Sequence, residues 1–159
     1  MTNDRIAAID LDERSVVALN QMIVQEREIA IADLLEKNHF RMKGSPGGPY
    51  HLLLSVTENR LVLDITLGDG KRAEPHGRLS LSLTPFRKVI KDYFLVCDSY
   101  YKAVRTAPPY QMEALDMGRR ALHDEGSVIL KKSLDGKIET DPETARRLFT
   151  LICVLHLKS

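Results

Sequence analysis

The sequence predicts an α+β domain, a small antiparallel sheet of about four strands packed with about four helices, because two hydrophobic periods follow one another along the chain. Before Thr84, most apolar residues alternate with polar ones, which is the period of a half-buried strand. After Thr84 they recur at steps of three and one, which is the period of an amphipathic helix. Strands and helices in separate blocks indicate an α+β fold and not a doubly wound parallel sheet.

The first half of the chain is predicted to hold four strands and one helix. The polar residues 57–59 separate two alternating segments and predict a β-hairpin. The segment 21–38 has the period of a helix, with large apolar residues on one side. The predicted strands are residues 5–11, 50–56, 61–67 and 79–83, and a turn-rich loop covers residues 68–77.

The strongest periodic pattern follows Thr84. Threonine is favoured at a helix N-cap and proline at the first helical position, so Thr84 and Pro85 are expected to begin a helix. The prolines at positions 108 and 109 end it, because proline donates no backbone hydrogen bond and restricts the residue before it.

Two further helices are predicted after these prolines. The first covers residues 110–134, with a break near Gly126 and a stop at Gly136. The last begins at Asp141, and from Leu151 to Leu157 apolar residues surround its axis, so we expect it to be buried on every side. The β-branched residues of this last segment also allow a strand.

Length and charge are those of an ordinary globular protein. A chain of 159 residues suffices for one domain, residues 1–159, that buries roughly 70% of its unfolded surface. Its 23 basic and 22 acidic residues give a net charge of +1, so no overall attraction to nucleic acid or to an anionic membrane is expected. Residues 1–12 lack the apolar stretch of a signal peptide, and the longest apolar run, residues 148–157, is too short to span a bilayer. We therefore expect a soluble, cytoplasmic protein.

Cysteine and histidine spacing argues against a disulfide or a metal site. Cys97 and Cys153 both lie in apolar runs, which predicts buried, reduced thiols. The glycine-rich residues 44–49 contain two prolines and lack the lysine of a phosphate-binding loop, so they are expected to be a structural turn. No two histidines are four residues apart, and we expect neither metal nor cofactor. The histidines are His39, His51, His76, His123 and His156.

Several short runs resemble an uncharacterised protein family of the UPF series from alphaproteobacteria. The resemblance extends over nearly the whole chain from Asp33 onward. It implies a cytosolic bacterial protein, and it implies no activity, cofactor or catalytic residue. The runs lie at residues 38–40, 46–50, 83–87, 91–94, 116–120 and 145–156.

One helical face carries a cluster that is a secondary candidate site. Asp116, Arg119, Arg120 and His123 project from the same side of the helix predicted over residues 110–134, at spacings of three and four. A carboxylate, two guanidinium groups and an imidazole together can hold an anion or transfer a proton. The alternative is a solvated face stabilised by ion pairs.

The first turns after Thr84 are the primary candidate, an anion-binding site. Arg87, Lys88 and Lys91 place positive charge beside the positive end of a helix dipole, which costs a few tenths of a kcal/mol each. A phosphate or carboxylate held there by the unpaired backbone amides and these cations would reverse the sign. The alternative is pairing of the cations with the acidic residues 1–40.

Two functions of different classes follow. The first is a non-catalytic binding or regulatory module that recognises an anionic ligand or an acidic protein partner. The second is a small enzyme that acts on a phosphorylated or carboxylated metabolite, with Arg119, Arg120 and His123 in a cleft. A homodimer is also predicted, because Leu95 lies on the polar face of the helix after Thr84 and the last helix is apolar all round.

Overall fold

The computed structural model describes residues 4–12, 21–45, 47–68 and 74–155, except the side chains of residues 21–23 and 74–76. The predicted α+β class is confirmed. Two predictions lie partly outside the described residues, namely the loop at 68–77, of which 69–73 are not described, and the end of the last helix at His156 and Leu157. Residues 74–77 of that loop belong to a strand, so this part of the loop prediction is wrong. The elements are β1 (Ile6–Leu11), α1 (Gln21–Glu36), β2 (Phe40–Met42), β3 (Tyr50–Thr57), β4 (Arg60–Leu67), β5 (Glu74–Ser82), α2 (Arg87–Ala103), α3 (Pro109–Leu134), β6 (Ile138–Thr140) and α4 (Pro142–Leu155).

The larger sheet has four strands in the order β1-β3-β4-β5. The predicted hairpin is confirmed, since β3 and β4 pair antiparallel and Glu58 and Asn59 between them have φ of 51° and 62°. Two successive positive φ values are those of the tight turn whose twist matches paired strands. The strand β1 pairs parallel with β3, so the sheet is mixed. A parallel pair requires a crossover, and the connection between these strands includes α1.

The chain begins α2 differently from the prediction. Residues 84–86 form one 3-10 turn, and the α-helix proper starts at Arg87. Thr84 does not cap it: its side-chain oxygen accepts a hydrogen bond from Asn59 Nδ2 at 3.1 Å, and no side-chain cap is present at either helix start. A hairpin residue therefore competes for the hydroxyl that was expected to cap the helix.

The helix α3 runs unbroken through Gly126, so the predicted break is wrong. This glycine serves close packing, because a Cβ at residue 126 would lie 2.4 Å from Cδ1 of Phe149. Gly136 follows the end of α3 and has a φ of +80°, the left-handed conformation expected of a glycine that stops a helix.

The helix α4 is the central element of the core. Asp141 caps it as predicted, since its Oδ1 accepts a hydrogen bond from the Thr144 amide at 2.8 Å. Residues Leu148 to Leu155 are all buried, which confirms the expectation of burial on every side. The helix packs against α1, α3 and β3, so it is covered within the chain itself. No helix among the described residues is long and apolar enough to cross a membrane.

A two-stranded ribbon of β2 and β6 was not predicted. Each strand has three residues, with Phe40 opposite Thr140 and Met42 opposite Ile138. Such a short strand contains too few alternations to be told from a loop.

Candidate functional site

A cleft of about 220 Å³ opens between α1, α3 and α4. Each helix contributes one face to it, because residues spaced three or four apart lie on the same side of a helix. The lining is polar except for two α1 residues, Ile29 and Ala30. The polar lining residues are Glu26 and Asp33 from α1, Arg119, Arg120 and His123 from α3, and Arg146, Arg147 and Thr150 from α4.

Arg119 is the most firmly held cation of the cleft. Its Nη1 donates to Oε1 of Glu26 at 2.8 Å, and its Nη2 donates to Oδ1 of Asp116 at 3.2 Å. Its guanidinium carbon lies 4.9 Å from the ring centre of Tyr100, which adds a cation–π contact. Burial works against the charge, but Glu26 and Asp116 outweigh it and raise the pKa of Arg119 above its ordinary value. Arg119 is therefore charged at every accessible pH.

The other three arginines are held less firmly. Arg120 reaches Oδ2 of Asp116 at 3.0 Å, and its side chain is 70% exposed. Arg146 lies 2.9 Å from Oδ1 of Asp124 and Arg147 lies 3.6 Å from the nearest oxygen of Asp33. Long or exposed ion pairs contribute little, so Arg120 and Arg147 retain donors that are only weakly committed.

Two donors in the cleft have no acceptor among the described residues. The Nε atoms of Arg119 and Arg146 are buried and make no hydrogen bond there. A buried donor left unbonded costs about 1–3 kcal/mol, and more on a charged group. Both arginines line the cleft, but these two nitrogens have no exposed surface, so only the other guanidinium nitrogens can meet an acceptor bound there.

His123 lies where α2, α3 and α4 meet. Its ring centre is 5.0 Å from that of Tyr93 and 6.4 Å from that of Phe149. Its Nε2 is 3.2 Å from Oγ1 of Thr150, and that hydroxyl donates its only hydrogen to the backbone oxygen of Arg146. The hydroxyl can then only accept from the ring, which assigns the ring hydrogen to Nε2 and leaves the lone pair on Nδ1.

The imidazole of His123 is neutral at physiological pH. Burial lowers its pKa from 6.5 to about 4, assisted by the positive charges of Arg119, Arg146 and Arg147, while Asp124 opposes the shift. Such a group cannot act as a general acid near pH 7, and it is a weak base compared with one whose pKa is near the operating pH.

Glu26 also contacts two polar side chains that lie below the cleft. Its carboxylate accepts from the Tyr101 hydroxyl at 3.4 Å and from the Cys97 thiol at 3.7 Å. Cys97 and Cys153 are both free and buried, as predicted. Burial raises the pKa of Cys97 to about 12, with Glu26 adding to the shift, so its thiol stays protonated and unreactive.

The lining of the cleft carries an excess of positive charge. Four guanidinium groups and two carboxylates face it. Three more carboxylates pair with these arginines from outside the lining, and two of them, Asp124 and Glu143, are more than 60% exposed. Solvent screens exposed charges strongly, so they offset the arginines less than their number suggests.

The structure brings together the secondary candidate cluster. Asp116 holds Arg119 and Arg120 in place, and these two arginines and His123 line one cleft. The ion-paired face that was the alternative interpretation is therefore also present. An anion-binding or proton-transferring role for these residues stays a prediction.

The primary candidate lies apart from that cleft. Thr84, Arg87, Lys88 and Lys91 are exposed, and none of the three cations forms an ion pair with any residue that the structure describes. The site was expected to use unpaired backbone amides at this helix start. The amides of Phe86 and Arg87 are not free, because they donate to the carbonyl oxygens of Leu83 and Thr84 within the 3-10 turn. The anion site at the start of α2 stays a prediction that rests on its cations alone.

Sequence reasoning missed more than half of the cleft. Five of the eight polar lining residues were missed, namely Glu26, Asp33, Arg146, Arg147 and Thr150. A pattern was available: both helices carry two consecutive arginines followed three residues later by a hydrogen-bonding side chain, which is His123 in α3 and Thr150 in α4.

Metal ligands do not gather in the part of the chain that the structure covers. No group of three or more histidine, cysteine, aspartate or glutamate side chains is placed to hold an ion there. His39 pairs with Glu139 and His51 with Asp10, each at the surface.

Comparison with known proteins places the chain in a family. The model described as "Uncharacterised protein family (UPF0262)" matches residues 3–158. The chain belongs to the UPF0262 family. The predicted resemblance to an alphaproteobacterial family of this series is thus confirmed.

Relatives in the UPF0262 family match along nearly their whole length. A UPF0262 protein of Nitrobacter winogradskyi is 55% identical over 97% of this chain and 90% of its own. One of Caulobacter vibrioides is also 55% identical, over 97% and 94%. One of Rhodopseudomonas palustris is 54% identical over 99% and 94%. No solved structure matches the chain.

Proposed function

We propose that the protein is a non-catalytic binding or regulatory module whose α1–α3–α4 cleft takes an anionic ligand. The observation that carries this proposal is the charge of the lining, where four guanidinium groups from α3 and α4 face two carboxylates from α1. An arginine presents five donors in a fixed fork suited to oxyanions. The net positive lining supports the same ligand charge.

The chemistry of His123 favours binding over catalysis. The enzyme alternative assigns it the role of acid or base beside Arg119 and Arg120. In the ligand-free protein, a pKa of about 4 suits neither role at neutral pH. Its hydroxyl partner Thr150 is hydrogen-bonded inside α4, so it is not an activated nucleophile.

The test compares two double variants that each remove two positive charges. Arg120→Ala/Arg147→Ala removes the two loosely held cations of the cleft, and Arg87→Ala/Lys91→Ala removes two from the start of α2. Sulfate is titrated against thermal unfolding, with sodium chloride at matched ionic strength as the control. At ten times the dissociation constant, a ligand stabilises the folded state by about 1.4 kcal/mol.

We expect sulfate to stabilise the wild type and Arg87→Ala/Lys91→Ala alike, and Arg120→Ala/Arg147→Ala much less. The reverse result would show that the anion site is the one at the start of α2, formed by Thr84, Arg87, Lys88 and Lys91. Equal stabilisation of all three proteins would rule out both sites, because a site that has lost its cations cannot bind as before.

We further propose a cytoplasmic homodimer. The free, buried thiols of Cys97 and Cys153 support a reducing compartment. Leu95 supports self-association, since this large apolar side chain is 59% exposed on α2. The apolar helix α4 gives no such support, because α1, α3 and β3 already cover it.

A further inference from the structure

We propose that the cleft selects small dianions with a tetrahedral phosphoryl or sulfuryl group, and that His123 sets this selectivity by taking up a proton as the anion binds. The inference rests on the proposed function, since it names the ligand class and the proton linkage of the same site. It concerns a small solute free in solution.

The size and lining of the cleft fit a small oxyanion. A volume of about 220 Å³ lies below the roughly 300–1,000 Å³ of pockets for drug-sized ligands. His123 is the one aromatic ring of this lining, so no pair of rings is present to stack a nucleobase. A phosphoryl-sized group fits within such a space.

The placement of donors favours a tetrahedral group over a planar carboxylate. Guanidinium groups line the cleft from two helices, with Arg119 and Arg120 on α3 and Arg146 and Arg147 on α4. A carboxylate presents its two oxygens in one plane, whereas a phosphoryl group presents three or four oxygens in different directions. Donors on two facing helices therefore find acceptors on both sides of a tetrahedral group.

Each helix that packs around His123 places at least one charged or titratable group near its ring. The rings of Tyr93 and Phe149 cover its faces. Burial disfavours the charged imidazole most, and the positive charges of the nearby arginines add to that effect. The groups are Glu26 and Asp33 from α1, Tyr93 from α2, Arg119, Arg120 and Asp124 from α3, and Arg146 and Arg147 from α4.

An anion among these arginines changes the proton affinity of His123. Arg119, Arg146 and Arg147 repel a proton from the imidazole, and a dianion bound between them offsets that repulsion. The proton enters at Nδ1, because Nε2 already donates to Thr150. Binding of the anion and binding of the proton must then strengthen one another by the same factor.

This linkage separates dianions from monoanions. A monoanion offsets about half of the arginine field, so it raises the proton affinity of the imidazole less. The bound pKa exceeds the free value of about 4, so anion affinity rises as the pH falls through the bound value. Discrimination in favour of the dianion therefore increases toward acidic pH.

The experiment uses sulfate and methanesulfonate as probes on the full chain. Both have a tetrahedral sulfur with at least three oxygens, and neither changes charge between about pH 5 and 8. Isothermal titration calorimetry at about pH 5.5, in two buffers of different ionisation enthalpy, gives the number of protons taken up. We expect sulfate to bind with net proton uptake and at least about threefold tighter near pH 5 than near pH 8. Methanesulfonate should bind at least about tenfold more weakly than sulfate at the lower pH.

Two variants separate His123 from the other histidines. His123→Gln retains an amide donor for Thr150 but cannot titrate, so sulfate should still bind while proton uptake and the pH dependence disappear. His51→Gln changes a histidine that pairs with Asp10 outside the cleft and should behave as the wild type.

Four results would overturn the inference. If sulfate binds equally well at every pH and no proton is taken up, His123 has no such role, and the proposed function stays intact. Equal affinity for methanesulfonate removes the selectivity for dianions. Tighter binding of a phosphoserine peptide than of free phosphoserine assigns the cleft to a protein segment instead of a small solute. Failure of sulfate to bind at any pH would reject the proposed function together with this inference.

Discussion

The start of α2 and the cleft between α1, α3 and α4 both concentrate positive charge, but they do so in opposite ways. Arg87, Lys88 and Lys91 extend into solvent, and no ion pair joins them to the described residues. In the cleft, Arg119 and Arg146 are largely buried and keep carboxylate partners within 3 Å. Charges along one helix can be read from the sequence, whereas charges held by partners on other helices become visible only in the fold.

The largest difference between the two regions is expected from single arginine substitutions. Arg119→Ala leaves the carboxylate of Glu26 buried without its charged partner, which costs about 3–5 kcal/mol for a buried pair. Arg87→Ala removes an exposed side chain and should change stability by less than about 0.5 kcal/mol. Urea denaturation of both variants checks this. Equal losses would mean that burial does not distinguish the two regions.

The packing that brings α3 against α4 gives the next effect. Gly126→Ala places a methyl group against the ring of Phe149, and we expect a loss of about 1–3 kcal/mol despite the better helix propensity of alanine. Gly118→Ala is the matched control in the same helix, since its Cβ would meet Val96 at an ordinary 3.8 Å. It should be neutral or stabilising by up to about 1 kcal/mol. A stabilising Gly126→Ala would contradict the close contact.

The buried histidine makes the cleft sensitive to acid. The folded pKa of about 4 lies below the ordinary 6.5, so the unfolded chain binds the proton first and favours unfolding as the pH falls. This contribution to stability is complete above about pH 7 and is lost progressively toward pH 4. Between pH 7 and pH 5 the wild type should lose about 1–2 kcal/mol more than His123→Gln. Parallel pH profiles of the two proteins would show that His123 is accessible to solvent protons when folded.

The smallest effect on stability is expected at Leu95. The wild type should scatter light as a dimer at tens of micromolar, and Leu95→Glu as a monomer. The exposed position of Leu95 predicts a change in unfolding free energy below about 0.5 kcal/mol. Monomeric wild-type protein would contradict the proposed homodimer, and a dimeric Leu95→Glu variant would place the interface elsewhere.

The parts of the fold that depend on local pattern were predictable. Strict alternation through β3 and β4 and the polar turn between them identify the hairpin, and Asp141 identifies the start of α4. The parallel pairing of β1 with β3 was not predictable, because alternation gives the faces of a strand and not its neighbour.

The candidate site was also predictable only where it depends on local sequence pattern. The spacing of Asp116, Arg119, Arg120 and His123 identified the α3 face of the cleft from helical geometry alone. Glu26, the partner of Arg119, is 93 residues away in the sequence, and no local rule connects them. The capping role expected of Thr84 failed for a related reason, since Asn59 of the hairpin turn takes its hydroxyl.

The central position of α4 has a consequence for biosynthesis. Residues 142–155 leave the ribosome after every other described element, yet α1, α3 and β3 all pack against them. Until they emerge, the surfaces of α1, α3 and β3 that pack against α4 stay uncovered, and the nascent chain resembles an aggregation-prone folding intermediate. Folding is therefore delayed until synthesis is nearly finished, and a message truncated before codon 142 would yield a chain for proteolysis instead of a partly active domain.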